Sequence, residues 1–555
     1  MSFSVKTRQE NLKKLETQKF DLVIIGGGIN GAGIARDAAS RGMNVALVES
    51  DDFASGTSSR SSKLIHGGIR YLENMEFGLV FEALSERRLL FQMAPHLVHP
   101  LRFVLPLYKG GRVGMFMLGL GMWLYDALSM FEAPKMHERL SKAGTKERLP
   151  ILDQTDLLGS YVYSDAYMDD DRLVIETLRS AHSHGATLVN YCSAVGGDLR
   201  AEVSANGEGS SAPKLKRLKV KDELTQKEFY IEGHHFISTV GPWTDIVAPK
   251  ILGEWKNKMR PSKGVHLTFD RKRVPLEEAV VMISDDEKRI VFAIPRHEMV
   301  IIGTTDTDYS GDPRDVHTSK EDVKYLLHVA SQYFPGANLK ESDILASYSG
   351  IRPLVDDGAE TESKTSREHL IYTDARNVTF VMGGKYTTYR LIAEHAVLEA
   401  LKQFDDSDRL KFARSKSEEP LNPLVTTERL SRAFIQSESL AEDYDRKLKT
   451  VRSLIDRHGE EAFNILKAYN AQVPRGENEL WIFEALHALN ETMCVNLRDF
   501  YLRRTPLFLA RADHGLLMAH DLSSVFQKYL GLTEEQRKHQ VEQVHQHLKT
   551  EMVWK

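Results

Sequence analysis

Residues 20–49 carry the first arrangement with a chemical reading. Residues 20–25 (FDLVII) read as a short buried parallel strand running directly into Gly26, Gly27, Gly28, Ile29, Asn30 and Gly31. A helix pattern over 32–40 and a strand over 44–48 come next, completing a βαβ unit. Gly26 permits a tight turn, Gly28 lets backbone approach a pyrophosphate, and Gly31 lets helix pack close to strand. The phosphates then sit on helix N-terminal amides, and Glu49 accepts from ribose hydroxyls. An acid at that position disfavours a 2′-phosphate. FAD and NAD share this fingerprint, so the distinction rests on the residues after Glu49. The stretch DDFASGTSSRSSKLIHGGIRYLE is small, hydroxyl-rich and too polar for a core strand. It suits an extended wrap along a long cofactor, with Lys63, His66, Arg70 and Tyr71 embedded in it.

The motifs GGGINGAGIARDAA, SSKLIHGGIRYLE, EALSERRLL and MAPHL together resemble the FAD-dependent glycerol-3-phosphate dehydrogenases, within the D-amino-acid-oxidase-like flavoproteins. VYSDAYMDDDRLV, KRIVFAIPR, IIGTTDTDYSGDP, YSGIRPL, TSREHLIY and GGKYTTYRLIAEHA continue the resemblance in the family's order over residues 20–400, and LRDFYLRRTP resembles its C-terminal domain. The segment Thr239-Val240-Gly241-Pro242-Trp243 departs from the family's Ala-Thr-Gly-Pro-Trp but keeps the glycine.

The resemblance implies oxidation of sn-glycerol 3-phosphate to dihydroxyacetone phosphate by hydride transfer to FAD, with two electrons passed on to a quinone. The oxidase relatives carry a longer insertion that this chain lacks, which favours quinone over oxygen. Cofactor contacts are expected from Gly26, Gly28, Asn30, Gly31 and Glu49, then Thr57, Ser58, Ser62, Lys63 and Leu64, and finally Gly241, Gly384, Lys385 and Thr387. A phosphate ester needs cationic donors, and Arg352 and Arg367 match positions that hold substrate in the family; Arg70, Tyr71 and Lys385 are expected beside them. Oxidation also needs an acceptor for the hydroxyl proton, and His66 and His266 are equal candidates, with Arg70 and Arg352 completing the catalytic set. Two rivals stand: a flavin oxidase of amines or amino acids, disfavoured because a carboxylate needs fewer cations, and a noncatalytic flavin-binding protein.

The elements that must position these groups give an α/β fold: a two-lobed, Rossmann-like FAD-binding domain interleaved with an antiparallel-sheet substrate domain, followed by an all-α domain. The expected boundaries are a leader at 1–19, FAD-binding parts at 20–100, 166–255 and 346–402, a cap or membrane-facing segment at 101–165, a substrate domain at 256–345, a linker at 403–425 and a helical domain at 426–555. The aspartates at 169–171 cap a helix ending at Gly185, and TLVNYCSAV, LKRLKVKDE and KEFYIEGHHFIST read as a three-strand meander. A helix after Gly383-Gly384 can stabilise negative charge on reduced flavin. For the helical domain the expectation is packing or partner contact without chemistry.

Composition fits this plan. The 555 residues are 42% hydrophobic and 27% charged, with 73 basic against 78 acidic side chains, so the chain folds and lacks the basic excess of a nucleic-acid binder. Two cysteines, Cys192 and Cys494, form no disulfide framework or metal motif, and the pairs His182/His184 and His234/His235 lack a third ligand, so no metal is expected. The polar N-terminus has no secretory pattern, which places the chain in the cytoplasm. Residues 115–131 (MFMLGLGMWLYDALSMF) carry Asp126 as their only charge and are apolar around the helix, so they are either core or lipid-facing. They are too short to span, and with Lys109, Arg112 and Lys135 flanking they suit a segment dipping into an anionic leaflet at the inner face of the cell membrane. Oligomeric state stays open between monomer and homodimer.

Overall fold

The computed structural model describes residues 2–72, 75–111, 113–201, 212–284, 289–358 and 368–555, and for Arg70 and Tyr71 the backbone only. Two sheets organise the first 400 residues. The nucleotide sheet runs His369–Asp374, Val378–Gly383, Glu228–Ser238, Lys19–Ile25, Val45–Val48, Thr187–Val189. The strand Lys19–Ile25 pairs in parallel with both neighbours, and Leu22, Val23 and Ile24 have no exposed surface. That double burial explains why the strand reads as an unbroken apolar run rather than an alternating one. Helices Ile29–Ser40, Asp170–Ser183 and Tyr389–Leu401 cover one face. The meander and the helix Thr244–Leu252 cover the other.

The meander differs from expectation at its start. TLVNYCSAV breaks at Asn190-Tyr191 into two strands: Thr187–Val189 joins the nucleotide sheet in parallel, and Cys192–Arg200 opens the antiparallel meander. Tyr191 makes the turn with φ +52°. The leader also differs, because Val5–Thr17 is a helix capped by Ser4 and docked on this sheet. Its buried face is Arg8, Asn11 and Leu15, and Arg8 donates to the Asn190 carbonyl (2.9 Å) and to Asp222 (2.5 Å). A buried face that is two-thirds polar gives no hydropathy signal.

The second sheet is larger than residues 256–345 supply. To Met259–Asp270, Ala279–Ile283, Ile290–Arg296 and Met299–Gly303 it adds Val98–Tyr108 and Leu157–Met168 from earlier in the chain, and Ile344–Val355 alongside Met259–Asp270. The sheets therefore cut across the expected domain boundaries at both ends. The junction between Ala279–Ile283 and Val98–Tyr108 is parallel, a long-range pairing with no turn in the sequence to announce it. Lys320–Tyr333, started by a Ser319/Asp322 capping box, packs behind the sheet.

At the edge of that sheet lie the helices Phe77–Met93 and Met115–Leu128. The second is neither all core nor all exposed. Met122, Tyr125 and Asp126 face inward, Asp126 meeting His137 Nδ1 at 2.7 Å, while Phe116, Met117, Leu120, Trp123 and Leu124 are exposed. The helix ends at Leu128, because Met130 and Phe131 take φ of +53° and +58°. Among the described residues no helix is long and apolar enough to cross a membrane.

The segment 403–425 is not a free linker. It contains the short helix Asp406–Lys411, buries Phe412 and Leu421, and receives Arg36 on the Ser417 and Glu419 carbonyls (both 2.6 Å). Beyond it helices run from Thr427–Ile435 to Glu534–Glu551 around their own core. Arg179 joins this domain to the nucleotide half through Glu461 (2.5 Å), and His458 and His487 lie beside that pair.

Candidate active site

One cavity of about 900 Å³ runs between the two sheets, a size that suits a cofactor and a small substrate together. Its mouth is the glycine turn. Gly26 has φ +108°, and a Cβ there would sit 2.9 Å from the Thr239 carbonyl oxygen. Gly28, Asn30 and Glu49 line the cavity. Gly31 lies behind it, where a Cβ would collide with the Gly26 carbonyl oxygen and come within 2.7 Å of Thr239 Oγ1, so the residue sets how closely helix and strand approach. Glu49 accepts from the amides of Gly27 (2.6 Å) and Asp51 (3.0 Å) and from Ser50 Oγ (3.1 Å). Burial pushes its carboxyl above the usual range, with the backbone donors pulling it back.

The hydroxyl-rich stretch lies along the cavity as a strap. Thr57, Ser58, Ser62 and Leu64 line it. Thr57 donates to the Ile351 carbonyl (2.6 Å), and Ser58 Oγ accepts from the Ile29 amide at the helix N-terminus (3.0 Å). Lys63 is the exception. It is buried with φ +56°, pairs with Asp170 (2.5 Å), and stacks its ammonium over the Tyr348 ring, so it anchors the strap from behind and does not line the cavity. From the far side Gly241, Gly384, Lys385 and Thr387 complete the wall. Gly383 and Gly384, with φ of +69° and +89°, turn the chain from the last parallel strand into the helical segment that begins at Tyr386.

At the opposite end two histidines and a group of cations converge. His266 Nε2 and Ser62 Oγ are 2.8 Å apart, and the imidazole stacks on Tyr348 with centroids 4.7 Å apart and planes 9° apart. Burial first, then Arg352 and Lys63, hold its pKa well below the ordinary histidine value, so the ring is neutral. His66 is half-buried on the same wall. The turn that carries it is fixed from below: Asp165 accepts from the Gly67 amide (3.1 Å), from Tyr125 (2.9 Å) and from Arg87.

Arg352 lies across the backbone at Gly264, where a Cβ would sit 2.6 Å from its Nη2. Its guanidinium is oriented by Asp306 (2.8 Å), Thr304 Oγ1 (2.9 Å) and the Thr305 carbonyl (3.0 Å). Arg289 and Arg314 line the cavity as well, and sequence reasoning singled out neither. Arg289 lies within KRIVFAIPR and Arg314 directly follows SGDP, motifs that carried the resemblance without marking either arginine as a ligand; the folding of Ile290–Arg296 beside Met299–Gly303 brings Arg289 to Asp306. Arg367 and the side chains of Arg70 and Tyr71 lie outside the described residues.

The C-terminal helical domain reaches the same cavity, which was not expected of it. Arg498, Leu502 and Arg503 stand by Glu49 and Asp51, while His547, Thr550 and Glu551 stand by Arg60. Buried polar atoms on the wall without a hydrogen-bond partner among the described residues include Trp243 Nε1, His266 Nδ1, Ser349 Oγ and Arg498 Nε. Orphaned donors along a groove that opens on a glycine cradle fit a long, polar dinucleotide such as FAD.

Comparison with known proteins gives concordant results. Residues 21–390 match the family described as FAD dependent oxidoreductase, and residues 431–537 match the C-terminal domain of alpha-glycerophosphate oxidase. The chain is 32% identical over 538 residues to the aerobic glycerol-3-phosphate dehydrogenase of Staphylococcus saprophyticus, covering 96% of this chain and 95% of that one. It is 34% identical over 516 residues to the protein of the same name from Staphylococcus haemolyticus, covering 91% and 90%. The crystal structure of glycerol-3-phosphate dehydrogenase from Bacillus halodurans, complexed with FAD, superposes with a TM-score of 0.77 at 27% identity over 99% of this chain and 98% of that one.

Proposed function

Because the chain belongs to the FAD dependent oxidoreductases and, among them, to the aerobic glycerol-3-phosphate dehydrogenases, we propose that it converts sn-glycerol 3-phosphate to dihydroxyacetone phosphate and delivers the electrons to a quinone at a membrane surface. One observation carries the site-level reading: a single cavity is lined both by the dinucleotide cradle and by Arg352, Lys385, Arg289, Arg314, His66 and His266, with Arg352 and Arg289 meeting at Asp306. FAD, when bound, supplies the hydride acceptor.

The chain's own residues do the rest. Arg352 and Lys385 hold the phosphate, with Arg289 and Arg314 adding positive charge to the same cavity. Arg70, Tyr71 and Arg367 belong to this set by resemblance. His66 takes the hydroxyl proton. His266 is the poorer base, because protonating it would place a second positive charge beside Arg352 in a buried site. It instead orients the substrate from the strand Met259–Asp270. Gly384, Lys385, Tyr386 and Thr387 line the cavity where the chain turns into the helix Tyr389–Leu401.

The exposed apolar face supports the membrane part of the proposal. Phe116 is 79% exposed and Trp123 57%, and Phe77 and Phe81 on the neighbouring helix extend the patch. Lys109 and Lys135 are paired with Asp156 (3.3 Å) and Glu138 (2.8 Å), and Arg112 lies outside the described residues. The apolar face therefore supplies the attraction and flanking charge contributes little. The reading places the protein at the inner face of the cell membrane, on the cytoplasmic side.

Anaerobic addition of glycerol 3-phosphate to the yellow protein tests the reaction. Bleaching is expected, and its absence refutes the dehydrogenase in favour of a noncatalytic flavin protein. Cosedimentation with anionic vesicles, wild type against Met117→Glu/Trp123→Glu at equal flavin content, tests the surface. Equal pelleting of both, or none by wild type, rules that face out.

A further inference from the structure

Arg498 carries the further inference. It lies on Leu497–Arg503, a helix of the C-terminal domain, and its Nη2 donates to Asp51 at 3.0 Å. The Asp51 amide in turn donates to Glu49 Oε1 at 3.0 Å. A guanidinium from residue 498 thus stands two residues from the acid that closes the nucleotide fingerprint, on the cavity wall, with Leu502 beside it. Its Nε is buried without a hydrogen-bond partner among the described residues, and a buried donor left so calls for an acceptor.

The helix is locked to the nucleotide half behind that contact. Asp52 is fully buried and accepts from Arg503 Nε (2.7 Å), from Arg504 (2.9 and 3.0 Å) and from Asn190 (3.1 Å). Asp499 takes Arg503 (2.7 Å) and the Tyr191 hydroxyl (2.8 Å), so both sides of the helix are tied to the loop Ser50–Asp52 and to the turn at Tyr191. The helix cannot shift without moving the residues just after Glu49.

We propose that the C-terminal domain forms the adenosine end of the FAD site and that Arg498 contacts the cofactor there. The proposal rests on the FAD reading above. Adenosine matches this chemistry: ring nitrogens and ribose oxygens accept from Nε, and the purine face accepts a planar guanidinium. Binding is then linked in both directions: FAD strengthens docking of the domain, and docking strengthens FAD.

The test titrates flavin-free protein with FAD and follows hydrogen exchange of residues 497–504 with and without the cofactor. Arg498→Ala is expected to raise the FAD dissociation constant roughly tenfold, with Arg498→Lys recovering only part, and FAD is expected to slow exchange in that helix. The Arg498 side chain is 30% exposed, and Arg498→Gln stands in should the alanine variant be insoluble. Affinity within twofold of wild type for Arg498→Ala, alongside lost affinity in Glu49→Ala, overturns the proposal and leaves the FAD reading standing. Unchanged affinity in both variants overturns both. Exchange in 497–504 that ignores FAD also overturns the proposal, whatever the variants do.

Discussion

His66→Gln is expected to slow substrate-dependent flavin reduction by about 10²- to 10⁴-fold, the range lost when a general base is removed. That is about 3 to 5 kcal/mol of barrier. The corresponding loss for His266→Gln is built from different contributions. The stack on Tyr348 is worth about 0.5 to 1.5 kcal/mol and the Ser62 hydrogen bond about 1 kcal/mol, and the glutamine amide can remake the second. The result is a loss of about tenfold, falling mainly on KM because a neutral ring held by Ser62 positions substrate and does not store a proton. The measurement is anaerobic stopped-flow at the flavin band across pH 5.5–9, with flavin content equalised. A His266→Gln variant that is a thousandfold slower, beside a His66→Gln variant within tenfold of wild type, refutes the assignment and shows that bound phosphate offsets Arg352 enough to make His266 the base.

Gly31→Val should purify with little flavin, because its side chain collides with the Gly26 carbonyl, and Glu49→Ala should hold it more weakly than wild type; stoichiometric flavin in both, read from absorbance after dialysis, contradicts the cradle. Arg352→Ala should lower kcat/KM for glycerol 3-phosphate by about 10- to 150-fold, the cost of one charge-assisted hydrogen bond, and leave the slow turnover of glycerol nearly untouched; equal losses on both substrates mean the arginine does not read phosphate. His235 is buried between Asn377 and Thr379 with its pKa lowered to about 4, so the unfolded chain binds a proton that the native state refuses. Stability should therefore fall as pH drops from 6.5 to 4, by on the order of 3 kcal/mol for this group, and urea midpoints of His235→Gln should fall less steeply over that window; parallel slopes would count against it.

The sequence made the nucleotide half legible because each of its signals is local. The strand, the glycine spacing and the terminal acid lie within about 30 residues, and burial on both faces leaves an apolar run that can be read directly. Resemblance extended this to Arg352 and Lys385, both of which line the cavity. What escaped depends on distant partners. The docked helix Val5–Thr17 buries Arg8 and Asn11 against residues 190, 188 and 222. Arg289 becomes a site residue only through strand pairing. Lys63 looked like a ligand by its place in the strap, but its left-handed backbone turns it toward Asp170. The arginine pair in LRDFYLRRTP was visible as a motif, yet its partner Asp52 lies about 450 residues away.

That separation bears on how the protein is made. The glycine turn and Glu49 are synthesised first, but Gly26 packs on Thr239, the wall at Arg60 is closed by Glu551, and Trp554 anchors the last turn by donating to Ser347 at 2.9 Å. At 5–20 residues per second a ribosome needs roughly 25 to 100 seconds to cover those 500 residues. During that interval the residues that complete the wall at Arg60 are absent. A chain cut short before the last helix keeps the fingerprint and lacks the Glu551–Arg60 pair on the cavity wall.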